Sequence, residues 1–158
     1  MPVRRATAYR LLKSFGLLEF ELKRISGFVG IGRGGFAKVG WPTVEASLRQ
    51  LPARDFLDRV STDSRAKLLG GARNRPMVQM VEEVHGSKFV RFEVRNLPND
   101  DAEALLVATR RVRNNLFHGG KEDPLEEPYL GDDQEWATAA AEVTELLLDS
   151  VRNGSLRP

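Results

Sequence analysis

The chain contains no cysteine, so a disulfide scaffold, a thiolate nucleophile and a cysteine-ligated metal are all excluded. Histidine is nearly as scarce. The two present, His85 and His118, do not stand at metal-ligand spacing, and neither a dedicated metal site nor a cofactor is expected. No apolar run approaches the roughly 20 residues of a membrane span. The start, MPVRRATAYRLLK, is basic but lacks the uninterrupted apolar segment that a secretion signal needs. Together these features lead us to expect a cytoplasmic protein with no membrane partner. With 158 residues, one domain spanning 1–158 can bury a core without staples.

Charge is abundant but unevenly placed. Residues 1–95 carry 18 Lys or Arg against 9 Asp or Glu, whereas residues 96–158 carry 6 against 13, giving +9 and −7 for a whole of +2. Two solvated faces that attract each other within one fold would explain the asymmetry. So would a basic groove for a polyanion such as RNA.

Hydrophobic periodicity predicts helices over most of the chain. Leu11, Phe15, Leu18, Leu22, Ile25 and Val29 recur at steps of four and three, the stripe of a long amphipathic helix, with Glu19 and Lys23 paired one turn apart on its flank. A shorter helix is expected near Pro42, another over about 53–69 before Gly70 and Gly71, and a further one in PMVQMVEEVHG, with His85 at its end. KFVRFEVR alternates Val90, Phe92 and Val94 with charged residues, which is strand periodicity, so a short extended segment is expected near 88–95. After Pro98, Asn99 or Asp100 caps a helix striped by Ala102, Leu105, Thr109, Val112 and Leu116 and stopped by Gly119 and Gly120. Asp132 and Glu135 open a last helix that buries Trp136, Ala140, Val143 and Leu147. The expected fold class is all-α, an up-and-down bundle of four to five main helices.

GIGRGGFAKVG places Gly30, Gly32 and Gly35 in the spacing of a dinucleotide loop and also looks like the glycine-rich loop of a kinase. The former should follow a strand, and this segment follows a helical stripe. The latter needs catalytic-loop and metal-binding motifs downstream, and none occurs. An interhelical loop is the expectation, with Arg33 and Lys38 able to touch a polyanion.

RNNLFHGGK, residues 113–121, concentrates the chemistry. At about 100° per residue, Arg113 falls at the edge of the apolar stripe, while Asn114 and His118 stack one turn apart on the neighbouring face. A guanidinium at a buried edge requires an acid, an amide or a phosphate. His118 lies in the last turn, where helix-end carbonyls favour the imidazolium form. A cation, an orienting amide and a titratable acid/base are what metal-free RNA phosphodiester cleavage requires. A helix cap and a buried ion pair are the alternative reading of the same residues.

The string VRNNLFHGGK resembles the signature of the HEPN superfamily, with Arg113, Asn114 and His118 giving R-N-x-x-x-H. The likeness is close over about 104–121 and looser in FELKRISGF with Trp41 and in the last helix; residues 45–95 do not align. The resemblance implies a helical bundle that forms a homodimer through the motif helix, and in many members a metal-independent endoribonuclease acting as a toxin or in antiviral defence. Toxin-type members often pair with a nucleotidyltransferase-like antitoxin. On that reading Arg113, His118 and Asn114 are catalytic, and Arg110, Arg111 and Lys121 hold substrate phosphates. Arg113 and His118 stand about 140° apart on an ideal helix, so two chains converge these groups better than one. Other HEPN-like proteins are non-catalytic dimerisation or RNA-binding modules of larger systems.

Overall fold

The computed structural model describes residues 3–71, 76–117 and 133–158. In chain order the elements are α1 (Arg5–Lys23), β1 (Val29–Ile31), β2 (Ala37–Val39), α2 (Trp41–Gln50), α3 (Thr62–Leu69), β3 (Val78–Val84), β4 (Ser87–Glu93), α4 (Asp101–Phe117) and α5 (Asp133–Arg152). The helices α1, α4 and α5 form the body. α5 packs along α1, α3 and α4, and α2 lies against α4.

The apolar stripes account for this arrangement. Leu11, Phe15, Leu18 and Leu22 of α1 are buried, as are Ala102, Leu105, Val112 and Leu116 of α4. Each such large side chain contributes roughly 1.5–3 kcal/mol through removal from water. α5 faces them with Ala137, Ala139, Ala140, Ala141, Val143 and Leu147, all buried; its run of small residues lets two neighbouring helices approach closely. The Asp100 carboxylate accepts the Glu103 backbone N–H at 2.9 Å and caps α4.

The all-α expectation is corrected by two antiparallel hairpins. PMVQMVEEV forms a strand, and it is the partner that KFVRFEVR needed: Val78 pairs with Glu93, Val81 with Val90 and Val84 with Ser87. The turn between them is His85–Gly86, both at positive φ (51° and 79°). Two such residues match the twist of a tight hairpin, so His85 is a turn residue and not a helix end. Met77, Met80, Val81 and Val84 also have helical spacing, but cross-strand pairing of a valine-rich segment wins over it.

A second hairpin, β1–β2, occupies the glycine-rich stretch, with Val29 opposite Val39 and Ile31 opposite Ala37. It replaces the expected interhelical loop and takes Val29 off the α1 stripe, where it is exposed. The helix expected over 53–69 is shorter as well. Residues 53–55 and 57–59 form 3-10 turns, and α3 begins only after Ser61, whose hydroxyl accepts the Ser64 backbone N–H.

α3 is tied to α5 through one carboxylate. Glu142 accepts from the Ser61 backbone N–H at 2.7 Å, the Ser61 hydroxyl at 2.9 Å and the Ser64 hydroxyl at 2.5 Å. Burial by itself pushes the Glu142 carboxyl up, but the serine donors outweigh it and hold it below the ordinary carboxylate range. A depressed carboxyl contributes stability that is present above its unfolded pKa and lost as pH falls through the folded one. Glu142→Gln should therefore be less stable than the parent at neutral pH by about 1 kcal/mol. In thermal melts the difference should close as the pH falls below about 4.

Candidate functional site

The candidate site is built on the C-terminal half of α4, where the apolar stripe leaves five polar side chains in sequence from Arg110 to Asn115, interrupted by Val112. The turn-by-turn rotation of the helix sends them in different directions.

Arg110 and Arg113, one turn apart, face α1 and α2. The Arg113 guanidinium lies 5.1 Å from the Phe15 ring centroid, and that of Arg110 lies 4.5 Å from Trp41. The two rings are 5.8 Å apart and tilted by 40°. Two cations thus cover two adjoining aromatic faces, an arrangement worth roughly 0.5–2 kcal/mol per pair depending on desolvation. Arg110 Nη1 donates to Glu45 Oε1 at 2.9 Å. Burial lowers the Arg110 pKa and raises that of Glu45, and in each case the partner's charge opposes the shift. Both shifts point to burial as the dominant influence, so the pair offsets a desolvation cost more than it adds net stability.

Arg113 has the environment its sequence position demanded. Its side chain is 19% exposed, its Nη2 stands 3.9 Å from Glu19 Oε2, and its Nη1 donates to Asn114 Oδ1 at 3.2 Å. Glu19 therefore turns toward α4, in place of the expected surface pair with Lys23. An acid, an amide and an aromatic face together surround the guanidinium.

The remaining polar residues face the β3–β4 hairpin. Arg111 donates through Nη1 to the Arg95 carbonyl at 2.8 Å and through Nη2 to the Asn96 carbonyl at 2.9 Å, strapping the β4–α4 connection to the helix. Asn115 Nδ2 donates to the Met77 carbonyl at 2.9 Å and fixes the entry to β3. Between these two anchors Asn114 is exposed. It borders a cleft of about 380 Å³ lined also by Met77, Val78, Gln79, Arg111 and Asn115.

The structure thus brings Arg113 and Asn114 into contact and engages Arg110 and Arg111 within the chain. His118 and Lys121, with the Gly119–Gly120 stop and Asp132, lie outside the described residues. Glu45 and residues 77–79 of the cleft had no signal in the sequence, because each joins the site through a contact distant along the chain; Asn115 lies within the motif string, but its bond to the Met77 carbonyl was not legible there. Among the described residues, no group of three or more His, Asp or Glu is placed to hold a metal ion, and no helix is long and apolar enough to cross a membrane. Comparison with protein-family models, with characterised proteins and with solved structures returns no match to this chain.

Proposed function

We propose that the protein is a metal-independent endoribonuclease of HEPN type, acting as a homodimer whose motif helices, α4, face each other. The observation that carries this reading is the Arg113–Asn114 pair. A guanidinium set against Phe15, Glu19 and Asn114 sits five residues before His118, the histidine of the R-N-x-x-x-H string. A pre-organised cation of this kind stabilises charge on a phosphoryl group without reorganisation at the moment of reaction. The substrate's own 2′-hydroxyl attacks the adjacent phosphorus and the 5′-oxygen of the next nucleotide leaves. His118 moves the proton as general base or acid, and Asn114 orients it. A toxin or phage-defence setting, with a nucleotidyltransferase-like antitoxin as partner in the former, fits this chemistry.

The second reading is a non-catalytic dimerisation or RNA-binding module, favoured by the Glu19 carboxylate and Phe15 ring that already satisfy much of Arg113. Incubation with single-stranded RNA and DNA in EDTA separates the two. The nuclease cuts the RNA, leaves the DNA intact and is indifferent to the chelator. Binding without cleavage by a dimer confirmed by light scattering supports the module.

A further inference from the structure

The motif helix supplies few open cations for a substrate strand: Arg110 is bound to Glu45, and Arg111 to two backbone carbonyls. A ribonuclease still has to hold a polyanion in register, and phosphate contacts are what position it. Unengaged cations stand on the β1–β2 hairpin. From Leu22 to Val44 the chain carries Lys23, Arg24, Arg33 and Lys38 and no acid at all. Among the described residues neither Arg33 nor Lys38 makes an ion pair or a side-chain hydrogen bond.

The hairpin tip is exposed and well defined. Ile31 is 82% and Phe36 77% exposed, the two highest values among the large apolar side chains of the described residues. Gly32 N–H donates to the Phe36 carbonyl at 2.6 Å, and Gly35 N–H to the Gly32 carbonyl at 3.1 Å. Gly34 and Gly35 take positive φ, 72° and 83°, which side chains rarely adopt. The Phe36 ring lies against Gly34, where an added Cβ would stand 3.3 Å from it, and the Lys38 stem runs past Gly30 and Gly32 at 3.5 Å and 3.7 Å on the same measure. The glycines thus make room for a ring and a lysine stem on a short turn. β2 then leads directly to Trp41, which lies under Arg110, one helical turn from Arg113. At about 3.3 Å per residue, Phe36 and Trp41 are separated by roughly 17 Å at most.

We propose that residues 30–38 are a docking platform for single-stranded RNA, with a base stacked on Phe36 and adjoining phosphates held by Arg33 and Lys38. The choice of RNA as occupant rests on the ribonuclease reading of Arg113 and His118, together with the acid-free charge of the segment. An aromatic face flanked by open cations is the combination that holds single strands without reading their sequence. Two exposed apolar side chains at either end of the turn of residues 32–35 offer little area for insertion into a lipid surface.

The test is fluorescence anisotropy with a mixed-sequence 2′-O-methyl RNA, which binds but cannot be cut, titrated at several salt concentrations. Phe36→Ala should weaken binding by about 5- to 150-fold, and Phe36→Trp should retain it. The double variant Arg33→Gln/Lys38→Gln should reduce the slope of log affinity against log salt by about 1.4. All three should melt like the parent, since the altered side chains are exposed. Unchanged affinity and slope would overturn the platform, as would a parent that binds no RNA. Binding to phosphatidylserine vesicles that Phe36→Ala abolishes, with RNA binding intact, would also overturn it. A parent that cuts no RNA but whose RNA binding falls with Phe36→Ala leaves the platform standing and removes the nuclease reading. A cutting parent whose Phe36→Ala variant binds normally does the reverse.

Discussion

Arg113→Ala is expected to reduce RNA cleavage by at least about 100-fold and to lower the melting temperature as well. On the proposed ribonuclease reading, the loss of activity follows from removing a cation that would stabilise developing phosphoryl charge, an effect typically of about 10²–10³. The loss of stability follows from what Arg113 touches. Its removal uncovers the Phe15 ring, leaves Glu19 facing a part-buried space and frees Asn114, together about 1–3 kcal/mol. Arg113→Lys separates the two effects. An ammonium keeps the charge near Glu19 but not the planar fork that stacks on Phe15 and reaches Asn114 together. The lysine variant should therefore regain part of the stability and little of the activity, read by fluorescent RNA and thermal melts side by side. Full activity in either variant would make Arg113 a packing residue.

His118→Ala should remove cleavage by about 10²–10⁴ on the proposed reading, the usual worth of a positioned acid/base, while costing at most about 1–2 kcal/mol of stability. Asn114→Ala should slow cleavage less than either, because an amide that accepts from Arg113 tunes the site without supplying the proton or the charge. The ordering across Arg113, His118 and Asn114 is the informative result. A His118→Ala protein that melts far below the parent, with unchanged cleavage, would assign the histidine to the fold.

The long helices were legible because burial alone dictates them: the stripes on α1 and α4 name the buried residues Leu11, Phe15, Leu105 and Val112 directly from spacing. The β3 strand was not, since its valines and methionines fit two periods and only pairing with Lys88–Glu93 decides between them. Hairpin pairing is a property of two segments, and the turn that joins them, His85–Gly86, reads locally like a helix stop. At the site, Arg113 and Asn114 were legible as an adjacent pair with a stated need. The partners that meet the need were not, because Glu45 reaches Arg110 across 65 residues and nothing local in α2 marks it. The same limit concealed the engagement of Arg111 by the Arg95 and Asn96 carbonyls, which only the path of the β4–α4 connection brings within reach. Conversely, the glycine-rich stretch looked like a phosphate cradle by spacing, and its structural context, a short hairpin with an exposed ring, is what gives it a different candidate role.

The end groups of RNA incubated with the protein in EDTA test the central claim most directly. Metal-free attack by the 2′-hydroxyl, with Arg113, Asn114 and His118 as the machinery, predicts a 2′,3′-cyclic phosphate on one fragment and a free 5′-hydroxyl on the other, and no product from a strand whose scissile nucleotide is 2′-deoxy. Fragments with 5′-phosphate ends, cleavage that stops with the chelator, or cutting of the deoxy-substituted strand would contradict it.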